Sequence, residues 1–122
     1  TSSMRACGAI GCVTNGPSRD VHEIRPMNFQ YLTRGVCAGH GPQAVHAVQV
    51  PVSIAGMDVA PGEIIHMDEN GAVKFPADRL EDVVNSAKAL LAEEDERVGQ
   101  LLKVKGIAAV KAIMAGHQYV KK

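Results

Sequence analysis

The dipeptide Arg19-Asp20 is the best place for chemistry in this chain of 122 residues. A guanidinium presents a planar fork that fits a carboxylate or a phosphate. An adjacent aspartate adds one hard oxygen ligand of the kind Mg²⁺ uses, with waters in the remaining positions. Together they can hold an anionic substrate beside a divalent cation. The local setting favours the same chemistry. Pro17-Ser18 precede Arg-Asp-Val-His-Glu-Ile, and the pattern predicts a helix capped by Ser18, with Asp20 and Glu23 early in it. A helix start offers free N–H groups and a partial positive charge, both attractive to anions. The plain alternative is an acidic first turn next to a surface arginine, and the dipeptide alone does not separate the two.

Other reactive residue types give weaker patterns. The histidines His22, His40, His46, His66 and His117 show no HxH or HExxH spacing, so zinc has little support. His22 falls on another side of the predicted helix from Asp20 and reads as an exposed helix residue. His40 lies between glycines in the loop AGHGP (38–42), where a ligand can approach. Cys7, Cys12 and Cys37 are odd in number and form no CxxC pair; they read as reduced thiols behaving as small hydrophobes. The glycines at 8, 11 and 16 match neither a phosphate-cradling Walker loop nor the dinucleotide fingerprint. No GxSxG elbow is present.

Several elements must position these residues. Residues 1–7 are mostly small and polar, and Gly8 is a natural helix stop, so the chain opens as the tail of a helix. Ala9–Thr14 reads as a buried strand closed by the Asn15-Gly16 turn. Pro26 should end the following helix by pushing Arg25 out of the helical region. Phe29–Arg34 alternates like a strand up to Gly35. Alternating valines predict a strand within Ala44–Ile54, with Pro51 at an edge or bend. Ala55-Gly56 and Pro61-Gly62 are turns around a short strand Met57–Val59. Glu63–Met67 and Ala72–Phe75 form a hairpin through Asp68-Glu69-Asn70-Gly71. From Pro76 the period becomes helical: Leu80, Val83, Val84, Ala87, Leu90, Leu91, Val98, Leu101 and Leu102 recur three and four apart. Glu93–Arg97 reads as solvated helix surface, or alternatively as a contact to a neighbouring subunit. Gly106 precedes a second helix, Ile107–Ala115. The order is that of an α/β chain unusually rich in hairpins.

Composition bounds the partners. Apolar residues make up 46%, so a packed core is expected and wholesale disorder is excluded. Thirteen basic residues balance thirteen acidic ones, which gives no electrostatic reason for direct nucleic-acid or membrane binding. Aromatics are 3% with no Trp, against a base-stacking platform. No apolar run approaches the roughly 18 residues of a membrane span. Free cysteines fit a cytoplasmic location.

The run GAIGCVTNGPSRDVHEI resembles the segment G-x-x-G-x-V-x-(D/N)-G-x-x-R-D-x-x-x-I of proteins related to regulator of ribonuclease activity A, the RraA-like family. The run VPVSIAGMDVAPGEIIHMDENGAVKFP resembles that family's P-V-x-x-x-G-x-x-V-x-P-G-D-x-x-x-x-D-x-x-G-V-x-x-x-P, and NFQYLTRG fits its strand ending in Arg-Gly. The resemblance covers about residues 5–92. It implies a swivelling β/β/α domain over 1–92, a helical C-terminal extension over 93–122, and assembly as a homotrimer or homohexamer. It also implies one of two activities. The first is a Mg²⁺- or Mn²⁺-dependent lyase that cleaves a 2-oxo acid, acting as a 4-hydroxy-4-methyl-2-oxoglutarate aldolase or oxaloacetate decarboxylase through a pyruvate enolate. The second is a noncatalytic regulator that binds a ribonuclease or another protein. By resemblance Arg19 binds the pyruvyl carboxylate and Asp20 holds the metal. The sequence also departs from the pattern. The family's aldolases place a further aspartate roughly twenty residues before the Arg-Asp pair, whereas residues 1–18 contain no acid. The expectation is a chain lacking the family's N-terminal portion. Asn15 stands where many members have Asp, and Glu63 replaces the Asp of the Pro-Gly-Asp turn.

Overall fold

The computed structural model describes residues 1–116, so His117 and the rest of the C-terminal segment lie outside the described residues. The chain begins with helix α1, Ser2–Ala6. Gly8, at φ 90°, closes it as predicted. The Gly8 N–H donates to Arg5 O at 2.9 Å and the Ala9 N–H to Met4 O at 3.1 Å, the paired bonds of a Schellman stop.

Strand β1 (Gly11–Val13) pairs in parallel with β2 (Gln30–Leu32), Gly11 facing Gln30 and Val13 facing Leu32. Parallel strands need a crossover, and here it is helix α2 (Val21–Ile24) with a 3₁₀ turn over Arg25–Met27. Strand β1 is shorter than expected and only half-buried; Ile10, placed in the predicted buried strand, lies outside it and is 88% exposed. Pro26 does not expel Arg25 from the helical region, because Arg25 keeps φ −49° and ψ −46°. Instead α2 ends at Ile24 and Pro26 enters the first turn of the 3₁₀ segment, where its missing N–H costs nothing.

Two hairpins follow. Strands β3 (Val52–Ile54) and β4 (Met57–Val59) are antiparallel, joined by Ala55-Gly56. Both linking residues have positive φ, 51° and 85°, the backbone of a tight primed turn. Strands β5 (Ile64–Asp68) and β6 (Gly71–Phe75) pair from Ile64 opposite Phe75 to Asp68 opposite Gly71. The Asp68 carboxylate accepts the Asn70 N–H at 2.8 Å and stabilises the predicted turn. The longer strand expected within Ala44–Ile54 forms only at its end. Val45 and Val48 are exposed, Gln49 turns to φ 58°, and Pro51 lacks a donor, so alternation alone finds no ladder there. Helices and three small two-stranded ladders together give a mixed α/β arrangement, consistent with the expected class.

The chain divides into two units, Thr1–Ala77 and the residues from Asp78 onward. In the first, Phe29 is buried and its ring centre lies 6.1 Å from that of Tyr31. It is the one buried apolar side chain among the described residues, so the large core suggested by composition is not formed. In the second, a 3₁₀ turn over Ala77–Arg79 leads into helix α3 (Leu80–Leu101), which runs unbroken through residues 92 and 93. Gly106, at φ 90°, then precedes helix α4 (Ile107–Gly116), which packs on α3. The Glu93–Arg97 cluster is not wholly solvated. Arg97 is buried, with Glu94 Oε1 3.5 Å from its guanidinium, and Glu93 and Glu94 are half-buried. No helix of the described residues is long and apolar enough to cross a membrane.

Candidate functional site

The segment that carries Arg19 is laced to the chain after β2. The Thr33 hydroxyl donates to Gly16 O at 2.6 Å. The Ser18 N–H donates to Gly35 O at 2.8 Å, and the Cys37 N–H returns to Ser18 O at 2.8 Å. Ser18 is therefore buried in a parallel bridge with Val36 and does not cap α2. The cap position belongs to Asp20, whose backbone is left-handed at φ 58° and ψ 40°. This conformation is unusual for a residue with a Cβ, and aspartate is among the few that tolerate it. Helix α2 has four residues, so its dipole is small and the electropositive helix mouth expected from the sequence contributes little.

Local backbone geometry brings the two predicted residues together. Arg19 Nε lies 3.2 Å from Asp20 Oδ2, with the side chains 45% and 54% exposed. Both line a cavity of about 700 Å³, whose wall also includes Glu23, Tyr31, Cys37 and His40. His40 lines this cavity, while His22 is not on that wall. Glu23, Tyr31 and Cys37 were not anticipated as cavity residues. Glu23 sits in the first turn of α2, close behind Asp20 in sequence. Cys37 arrives through the Ser18 pairing, which no local pattern announces. Burial raises the Cys12 thiol above its ordinary value, partly offset by a hydrogen bond with Tyr31, so Cys12 is a packing residue and a poor nucleophile.

No group of three His, Cys, Asp or Glu side chains among the described residues forms a ready metal cage. The carboxylates of Asp20 and Glu23 on an open, wettable wall suit a hard cation that keeps most of its waters, such as Mg²⁺ or Mn²⁺. They do not suit the closed nitrogen and sulfur sets of structural zinc.

The two motif runs are joined physically. Asn15 Oδ1 accepts the Ala55 N–H at 2.9 Å, and its Nδ2 donates to Ser53 O at 3.4 Å. Asn15 thereby clips the β3–β4 turn to the loop that leads into the site. A second cavity, of about 740 Å³, opens beside this clip and is lined by Asn15, Arg34 and Ser53 among others. It lacks a carboxylate to accompany its arginine. Glu63 anchors the Pro61-Gly62 turn. One oxygen accepts the Ala60 N–H at 2.7 Å and the other accepts Lys74 Nζ at 2.7 Å. The Lys74 bond, then the Ala60 bond, holds its carboxyl below the usual glutamate range.

Comparison with known proteins identifies the family. The family model RraA-like, described as Aldolase/RraA, matches residues 1–74. Protein DlpA of Legionella pneumophila is 38% identical over 88 residues, covering 70% of this chain and 14% of its own length. A Halalkalibacterium halodurans protein named "Putative 4-hydroxy-4-methyl-2-oxoglutarate aldolase" is 29% identical over 94 residues, covering 76% of this chain and 45% of its own length. An uncharacterized protein of Methanocaldococcus jannaschii is 32% identical over 88 residues, covering 71% and 42%. The chain spans less than half the length of each of these relatives.

Proposed function

Because this chain belongs to the RraA-like (Aldolase/RraA) family, we propose that it carries part of the active site of a divalent-metal-dependent lyase that cleaves a 2-oxo acid to pyruvate. Oxaloacetate and 4-hydroxy-4-methyl-2-oxoglutarate are the substrates of this type. The observation that carries the reading is the meeting of Arg19 and Asp20 at 3.2 Å on a cavity wall. A pair so exposed contributes little to stability, on the order of 0–1 kcal/mol, so both side chains are available to a ligand at little cost to the fold.

Arg19 binds the substrate carboxylate. Its guanidinium turns from Asp20 toward the incoming anion and exchanges one carboxylate partner for another, so the positive charge is never left bare. Asp20, freed of its neighbour, would hold the cation. A bound Mg²⁺ or Mn²⁺ would supply Lewis-acid polarisation of the 2-oxo group and stabilise the negative charge that develops there. The left-handed backbone at Asp20 turns the two consecutive side chains toward one cavity, and the Ser18 lacing fixes the segment that bears them.

The test is oxaloacetate decarboxylation by the full-length protein with Mg²⁺. The expected result is a chelator-sensitive rate that Arg19→Ala lowers by about 10²–10³-fold while circular dichroism stays unchanged. A wild-type protein with no metal-dependent rate overturns the reading.

A second reading, a noncatalytic regulator of the RraA type, draws on the apolar surface. Val36, Val45 and Val48 are each more than 70% exposed on the chain around the site loop. Exposed apolar side chains are what a protein partner can cover. In that reading a ribonuclease or other protein binds and no chelator-sensitive chemistry occurs.

A further inference from the structure

His40 stands on the same cavity wall as Arg19 and Asp20, and nothing in the lyase reading so far uses it. Its place is not accidental to the loop. The Cys37 N–H bond to Ser18 O ties the start of that loop to the residue before Arg19. Cys37 Sγ then donates to Gly39 O at 2.9 Å, which tightens the turn just before the histidine. His40 Nδ1 lies 3.1 Å from Gly41 O. A carbonyl can only accept, so Nδ1 carries the proton in this contact and Nε2 is the ring atom left for other partners. This is how a histidine is prepared to move a proton at one defined atom.

We infer that His40 is the proton donor that quenches the pyruvate enolate, acting through Nε2. This rests on the lyase reading above. In decarboxylation the C3–C4 bond of oxaloacetate breaks, carbon dioxide leaves, and the electron pair forms the C2–C3 double bond of the enolate. The enolate then re-forms its C2 carbonyl while C3 takes the Nε2 proton of the imidazolium. The ring returns to the Nδ1–H tautomer that Gly41 O already favours, and water reprotonates Nε2. The ionisable groups sharing the cavity wall with His40 are Arg19, Asp20, Glu23, Tyr31, Cys37 and the Thr1 amine. Arg19 is committed to the substrate carboxylate and Asp20 to the cation, which leaves the oriented imidazole to move the proton.

The reaction has two measurable halves, release of carbon dioxide and exchange of the pyruvate methyl protons with D₂O. Exchange needs C3 proton transfer and no C–C cleavage. In the full-length Mg²⁺-loaded protein, His40→Gln should slow methyl exchange, followed by proton NMR, by about 10²-fold or more. The first-turnover burst of carbon dioxide, which precedes protonation, should survive, while steady-state release falls together with exchange. A binding readout accompanies it. Oxalate, a stable analogue of the enolate, should shift the His40 ring resonances in the wild type and leave them unmoved in Arg19→Ala. Loss of the first-turnover burst along with exchange in His40→Gln marks a merely structural residue and overturns the inference. So does wild-type exchange in the variant, or an oxalate complex that leaves the ring untouched. If wild-type protein performs neither half, the lyase reading falls and takes this inference with it. A wild type that performs both, with an indifferent His40, removes the inference alone.

Discussion

Two acid–base pairs in the first unit use the same chemistry to opposite ends. At Glu63 both carboxylate oxygens are engaged, one by the Ala60 N–H and one by Lys74, each at 2.7 Å, and the side chain is 16% exposed. The pair joins the Pro61-Gly62 turn to β6 and leaves nothing for a ligand. At Asp20 one oxygen meets the neighbouring Arg19 at 3.2 Å, and the carboxylate is 54% exposed on a cavity. The covalent neighbours approach each other across a strained left-handed backbone. The Glu63 carboxylate is saturated by the fold; the Asp20 carboxylate is held in place with lone pairs to spare, as the proposed cation ligand requires.

Substitutions should separate the two pairs. The largest effect is expected at the open one. Asp20→Asn keeps a residue that tolerates positive φ, so folding should be preserved while Mg²⁺-dependent turnover falls by about 10²-fold or more. Asp20→Ala should lose the same activity and, in addition, about 1 kcal/mol of stability from the left-handed backbone. Equal activity in the two pairs' variants, Asp20→Asn and Glu63→Gln, would erase the distinction.

Next comes the strand between them. A Cβ at Gly11 would meet Met67 Cε and lie 3.0 Å from Gln30 O, where the Gln30 side chain also donates to Met67 O. Gly11→Ala should cost about 1–3 kcal/mol by denaturant titration. A neutral result would mean that β1 and β5 shift apart without penalty. Asn15→Ala removes the clip on the β3–β4 turn and should cost about 0.5–1.5 kcal/mol, with faster amide exchange at Ala55.

The smallest effect is the pH response of the closed pair. Because the Glu63 carboxyl is depressed in the folded state, its contribution is present above the ordinary glutamate value. It is lost as pH falls through the lower folded value. Glu63→Gln should flatten that acid limb of a thermal-melting profile and leave the neutral-pH activity in place. An unchanged acid limb would show that the Lys74 contact is not maintained in solution.

Much of this arrangement is legible in the chain, and the failures share a cause. Gly8, Asn15-Gly16, Ala55-Gly56 and Asn70-Gly71 announce their turns because each relies on local backbone chemistry. Arg19 and Asp20 are visible as a dipeptide, and the structure adds their shared cavity. Ser18 is misjudged as a cap because its partners, Gly35 and Cys37, are distant in sequence. Val48, Val50, Val52 and Ile54 alternate like strand residues, but only the last two lie in a ladder, because a strand needs a neighbour and periodicity does not say where one is present. Arg97 is misjudged for a related reason. Charge marks it for solvent, while its position on α3 buries it beside Glu94.

The stretch from Gln43 to Val50 bears no ladder, while Asn15 and the Ser18 bridge fasten the chain on either side of it. Its length is accordingly a free variable. An affinity tag or fluorescent reporter spliced there would be carried as cargo without disturbing the turns it connects.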